Sequence, residues 1–135
     1  MKKSDMLARY VEAFNQGDTA TYGAFYAPDV TLRNGCGMVL SGPAEILDFY
    51  SNLRSSVSRI MRIQAIIGGQ DCIVASLASC FTALQSNIDF SGDILAKGDR
   101  VEIESMALYE LENNKFARIN ATTIKRRILR QGEIK

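Results

Sequence analysis

Three phenols carry the most legible chemistry in this chain. Tyr10, Tyr26 and Tyr50 fall on the apolar stripes of three successive predicted helices, a placement that should converge them on one cavity. A phenol stays neutral near physiological pH and donates one hydrogen bond, which suits recognition of a ligand oxygen in an apolar pocket. Tyr22 and Tyr109 read as ordinary core tyrosines. Acid–base candidates are thinner. Glu102 and Glu104 form the most tempting acid pair, but they alternate with Val101, Ile103, Ser105, Ala107, Tyr109 and Leu111 along a predicted strand. Successive strand side chains point to opposite faces, so parity sends both glutamates outward and turns Ser105 and Ala107 inward. Asp29, Asp48, Asp89 and Asp93 remain as carboxyls that a catalytic site could recruit.

The chain has no histidine, which excludes the Ser-His-Asp triad, the Cys-His pair and a histidine-ligated metal. Cys36, Cys72 and Cys80 make an odd count without CxxC spacing, arguing against a disulfide framework and a structural zinc site. They read as buried thiols, although Cys36, just after Asn34, is placed to line a cavity mouth. No phosphate loop, dinucleotide fingerprint or EF-hand pattern occurs, and no cofactor or metal is expected.

The elements that must hold these residues follow from spacing. Ser4 or Asp5 caps a first helix whose buried face is Met6, Leu7, Tyr10, Val11 and Phe14, ended by Gly17. Asp18 caps a second helix carrying Tyr22, Phe25 and Tyr26, stopped by Pro28. A strand over Val30 to Leu32 meets a turn at Asn34-Gly35. Gly42-Pro43 opens a third helix with inner stripe Ile46, Tyr50, Leu53 and Val57. Beyond Arg59 the texture becomes β-type: Ile60 to Ile67, Cys72 to Leu84, Val101 to Glu112 and Phe116 to Arg126. Three helices followed by an antiparallel sheet indicate an α+β fold, and the 135 residues, 47% hydrophobic, suffice for one domain spanning residues 1–135.

A net charge of +1 gives no field favouring nucleic acid or an anionic membrane. The charge is uneven, with Lys125, Arg126, Arg127, Arg130 and Lys135 set against Glu133 near the end; we read this run as a solvated strand end. Neither a signal peptide nor a membrane span is visible, so a cytoplasmic protein is expected. Met106 and Leu108, apolar on the outward face of their strand, suggest a homodimer through the sheet.

The segment from Leu7 to Tyr50 contains L-A-R-Y-V-E-A-F-N-Q-G-D, F-Y-A-P-D-V-T-L-R-N-G-C-G and S-G-P-A-E-I-L-D-F-Y. In these motifs it resembles the ketosteroid isomerases and SnoaL-like polyketide cyclases of the nuclear transport factor 2-like superfamily. The later run from Phe90 to Val101, followed by M-A-L-Y-E-L-E-N-N-K-F, looks more SnoaL-like. The resemblance implies three helices packed on a strongly curved antiparallel sheet that forms a cone with an internal pocket. It implies Tyr10 as the oxyanion-binding tyrosine, with Tyr26 and Tyr50 supporting it by hydrogen bonding. It also places Asn34 where those isomerases shuttle a proton on aspartate, and Ala107, or Met106 if the match slips by one residue, where a second acid donor stands. An amide has no useful basicity near neutral pH, so that proton transfer cannot run through Asn34.

Three readings follow. In the favoured one, the protein binds a small hydrophobic ketone, phenol or polyketide-like ligand through Tyr10, Tyr26, Tyr50, Asn34, Ser105 and Ala107, with Tyr10 and Asn34 the candidates for any catalysis. The second is an active isomerase or cyclase using a relocated carboxylate. The third is a non-catalytic dimeric scaffold whose pocket is filled by its own side chains.

Overall fold

A computed structural model describes residues 2–133; Lys135 of the basic terminal run lies outside them. Helix α1 (Lys3–Gln16) forms where the apolar spacing places it and buries Met6, Leu7, Tyr10, Val11, Ala13 and Phe14. Its N-cap is Lys2, without a side-chain cap, so Ser4 and Asp5 sit inside the helix rather than starting it. Gly17 ends it in the left-handed conformation, φ 69°, which a residue with a Cβ adopts at a cost of roughly 1–2 kcal/mol. Asp18 then caps α2 (Thr19–Gly23), its carboxylate accepting the Thr21 N–H at 3.2 Å and the Thr21 hydroxyl at 2.6 Å.

Here the chain departs from the helical expectation. Helix α2 is one short turn, and Tyr26 opens strand β1 (Tyr26–Arg33) instead of lying on a helix. Pro28 explains the difference: it biases Ala27 away from helical geometry. Its missing N–H falls where the β1 register shifts, between Tyr26 and Thr31, so the ladder loses nothing there. Strand β2 (Val39–Ser41) completes a hairpin with β1, and α3 (Pro43–Ser56) opens with proline in its first turn.

The rest is β3 (Val57–Gly68), β4 (Cys72–Ala83), β5 (Ile88–Phe90), β6 (Asp93–Leu95), β7 (Arg100–Glu112) and β8 (Lys115–Leu129). Six strands form one sheet in the order β2-β1-β8-β7-β4-β3, while β5 and β6 form a separate hairpin. The α+β expectation holds, with two corrections. The sheet is mixed, because β1 runs parallel to β8; the connection between them spans most of the chain, as parallel pairing requires. It is also an open sheet with two edges, curved but not strongly curled.

Register aligns the inward residues into rows across β3, β4, β7 and β8. Met61 pairs with Ser79 and Ser79 with Ile103; Ala75 pairs with Ala107 and Ala107 with Ala121; Ile73 pairs with Tyr109 and Tyr109 with Ile119. Helices α1 and α3 lie over this face. Two side chains tie α1 down. Asn15 donates to the Met61 carbonyl and accepts the Met61 N–H, both at 2.8 Å, on the free edge of β3. Arg54 of α3 donates to the Phe14 and Asn15 carbonyls at 3.3 and 3.1 Å, at the helix end where a cation is favoured.

The outward face carries Glu102, paired with Arg127, and Glu110, whose carboxylate lies 2.8 Å from Arg118. With Arg126 bonded to Asp93 at 2.6 Å and Arg130 to Asp99 at 3.1 Å, three arginines of the basic terminal run are engaged within the fold. Cys36 is exposed and Cys72 and Cys80 are half-buried, so the expectation of three buried thiols does not hold. Among the described residues no helix is long and apolar enough to cross a membrane.

Asp99 is buried and fastens the end of β8 to the turn before β7. Hydrogen bonds from the Ala96 N–H (2.9 Å) and the Gln131 N–H (2.8 Å), with Arg130 beside it, hold its carboxyl below the usual carboxylate range. A depressed folded-state pKa gives stability that is fully present above the unfolded value, about 3.9, and is lost as pH falls through the folded value. Urea denaturation across pH should therefore find Asp99→Asn less stable than wild type at neutral pH. The two curves should converge below about pH 4, the range in which the unfolded carboxyl titrates; a constant gap down to low pH would contradict this.

Candidate functional site

The inward face of the sheet is bulky at its ends and small at its centre. Ser79, Ser105, Ala107 and Ala121 occupy the middle rows, and the space they leave under α1 and α3 is a cavity of about 520 Å³. Its floor is made by Tyr10, Met61, Leu77 and Tyr109, all buried, and its exposed end by Arg33, Cys36, Asp89, Ser91 and Gly92. The β5–β6 hairpin closes part of that mouth. Phe90 packs on Phe81 with ring centroids 4.8 Å apart, and Arg126 donates to the Phe90 carbonyl at 3.1 Å while pairing with Asp93.

The tyrosines divide. Tyr10 reaches the cavity from α1, its ring edge-on to Phe116 at 5.0 Å, and its hydroxyl lies 2.6 Å from that of Tyr26. Tyr26 stands behind it, buried and away from the cavity surface. Burial raises both phenols above their ordinary range, and Tyr26 and Tyr109 next to Tyr10 push it up further, so both stay protonated at neutral pH. Tyr50 lines the cavity from α3, edge-on to Phe14 at 5.0 Å. Among the described residues its hydroxyl bonds neither Tyr10 nor Tyr26, so of the two expected supporting tyrosines only Tyr26 touches Tyr10.

Asn34 lies at the mouth, in the turn of the β1–β2 hairpin. Its side-chain oxygen accepts the N–H groups of Cys36 at 3.0 Å and Met38 at 3.1 Å, an Asx arrangement that stabilises the loop. Only its amide N–H2 remains for a ligand. Ser105 and Ala107 point inward, and Met106 is exposed and off the cavity wall. Of the four spare carboxyls, Asp89 alone lines the cavity; its Oδ1 accepts the Gly92 N–H at 2.9 Å. Asp29 and Asp48 are exposed elsewhere, and Asp93 is held by Arg126. Cys36 lies at the mouth, its sulfur 3.2 Å from the Ser91 hydroxyl.

Tyr109 and Arg59 are among the cavity residues that the sequence reading does not assign to the site. Tyr109 was placed on the inner face by parity but read as core; it lines the cavity beside Ala107, and its phenol is raised by burial while the nearby Arg59 partly opposes that rise. Arg59 stands in the sequence only as the boundary beyond which the texture becomes β-type. It lies on the same face as Met61, two residues further on, and its guanidinium carbon sits 5.1, 5.6 and 4.9 Å from the ring centres of Phe14, Tyr50 and Phe81. Strand parity extended back from Met61 was the signal that could have found it.

Residues 7–119 match the model of the SnoaL-like domain family. Among curated proteins, none matches the chain. Solved structures share the fold. A proposed polyketide cyclase from Pseudomonas putida KT2440 is 20% identical over 90% of each chain, with TM-score 0.77. A SnoaL-like polyketide cyclase from Agrobacterium tumefaciens is 17% identical over 93% of this chain and 94% of its own, with TM-score 0.75. An LEH-like epoxide hydrolase from M. tuberculosis is 11% identical over 87% of this chain and 78% of its own, with TM-score 0.70.

Proposed function

The chain belongs to the SnoaL-like domain family, and from that membership we propose that it binds a small hydrophobic ketone, phenol or polyketide-like ligand inside the cavity between its helices and its sheet. The observation that carries this reading is the cavity itself: about 520 Å³, lined largely by apolar side chains, with Tyr10 on its wall and the Tyr10 hydroxyl backed by that of Tyr26. That volume falls within the roughly 300–1,000 Å³ of small-molecule sites, and the neighbours named as polyketide cyclases point to the same ligand class.

Tyr10 donates to the ligand oxygen. Either hydroxyl of the Tyr10–Tyr26 pair can be the donor. With Tyr26 donating, its own buried hydroxyl is satisfied and the Tyr10 hydrogen is left for the cavity, the arrangement that strands no buried donor once ligand is present. Tyr109 and Tyr50 flank the ligand, Asn34 offers its amide N–H2 at the mouth, and Ser105 and Ala107 leave room for a fused ring. The open cavity disfavours a scaffold with a self-filled pocket. A second reading, proton-transfer chemistry, is favoured by Asp89, the single carboxylate on the cavity wall among the described residues. A homodimer through the outward sheet face, where Met106 is exposed at 40%, fits either reading.

Fluorescence titration with a fused-ring phenol such as equilenin should show saturable binding. Tyr10→Phe should weaken it by roughly 0.5–1.5 kcal/mol, the net worth of a neutral hydrogen bond; an unchanged affinity would remove Tyr10 from the site. If Asp89 is a base, Asp89→Asn should abolish exchange of the α-protons of a bound cyclic ketone, followed by NMR in deuterated water, while leaving phenol affinity within about twofold; equal exchange in both proteins, or none in wild type, rules the second reading out. Sedimentation equilibrium should give a dimer that Met106→Glu dissociates, and a monomeric wild type would refute that interface.

A further inference from the structure

Among the described residues Arg59 is a cation of the cavity wall without a counter-ion, set among aromatic rings. Its Nε is sealed from solvent with no hydrogen-bond partner, and Nη2 makes one long bond, 3.4 Å, to the Ser79 hydroxyl. It forms no ion pair among the described residues. A guanidinium has five N–H donors in a planar fork, so most of its hydrogen-bonding capacity is unused within the protein. Three aromatic faces surround it within 5.6 Å and supply cation–π attraction. Those contacts hold the charge in place without neutralising it. Of the three charged side chains on the cavity wall among the described residues, two are arginines, Arg33 and Arg59, and the one acid, Asp89, lies at the mouth.

A second pocket adjoins this position. It has a volume of about 130 Å³ and shares Phe14, Tyr50, Leu53 and Arg59 with the main cavity. Its remaining wall includes Thr19, Ser51 and Arg54, two hydroxyls and a second cation, and no carboxylate. Arg59 therefore stands where an apolar chamber meets a small, positively charged one. Arg59 is half-buried with its Nε sealed; charge withdrawn from water is normally paired, and the planar guanidinium fork matches a carboxylate or a phosphate bidentately.

We infer that the ligand of this cavity carries an ionised carboxylate, that Arg59 binds it, and that the aromatic or ketone body of the same molecule fills the main chamber toward Tyr10. The inference rests on the ligand-binding reading above and narrows it from hydrophobic ketones and phenols in general to their acids. Arg59 uses its unpaired N–H groups on the carboxylate, and Phe14, Tyr50 and Phe81 keep the guanidinium plane from collapsing onto the sheet. In this arrangement Ser79 orients Arg59 and is a positioning residue.

The test compares naphthol with hydroxynaphthoate, two fluorescent probes that differ by one carboxylate, titrated at neutral pH into wild type, Arg59→Gln and Arg59→Lys. Wild type should bind hydroxynaphthoate at least about tenfold more tightly than naphthol, as expected for one hydrogen-bonded charge pair. Arg59→Gln should erase that preference while holding naphthol within about threefold, and Arg59→Lys should retain only part of it because a single ammonium cannot grip both oxygens. The wild-type comparison stands alone if a variant fails to fold. Equal affinity of wild type for the two probes, or a preference that survives Arg59→Gln, overturns the carboxylate assignment and leaves the pocket reading intact. Binding of neither probe overturns both.

Discussion

The structure depends on a size gradient along the inward face of the sheet. Large side chains at the two ends, Tyr109, Ile73 and Phe116 at one and Phe81 and Val101 at the other, belong to two separate apolar clusters. Between them Ser79, Ser105, Ala107 and Ala121 are too short to meet the helices. A close-packed interior does not leave such a space by accident, since every unfilled methylene costs stability. The two clusters hold the roof and floor apart, so the protein keeps its cavity without needing a ligand to prop it open.

What faces into that space is governed by the helices. Tyr10 is carried on α1, and two of the contacts that hold α1 involve no cavity residue's side chain: Asn15 on the backbone of Met61 and Arg54 on the last carbonyls of the helix. Helix α3 supplies both Arg54 and Tyr50, so the same element that pins α1 lines the chamber opposite the sheet. A Cβ at Gly17 would stand 2.5 Å from the Arg54 guanidinium carbon, so glycine there serves the helix end and the arginine together. The Tyr10–Tyr26 bond then joins α1 to β1 across the part of the core where the aromatic rings are densest.

Much of this was legible in the sequence where one face of an element is buried. Parity along β7 put Ser105, Ala107 and Tyr109 inward and Glu102 outward, because a half-buried strand alternates by necessity. The stripe of α1 and the Asn34 turn were equally plain. Tyr26 was misplaced because a helical stripe of three aromatics also fits the start of a strand; Pro28 biases Ala27 away from a helix, but the strand that Tyr26 joins is paired by β8, far along the chain. Parallel pairing of β1 with β8 has no local signature at all. Arg59 was missed because charge on a strand reads as solvent-facing, whereas here aromatic rings from α1, α3 and β4 hold it inside.

The bond between Asn15 and Met61 has one more effect. An edge strand presents a row of free N–H and C=O groups that a second chain can pair with, and β3, twelve residues long, is such an edge. Asn15 offers its amide as a one-residue imitation of a neighbouring strand, occupying both backbone groups of Met61, and a bulge between Ile63 and Ala65 breaks the ladder just beyond it. The edge is thereby cut into lengths too short for a foreign strand to zip along. A helix side chain thus makes this sheet self-terminating and protects the protein from growing into an aggregate through its longest exposed rim.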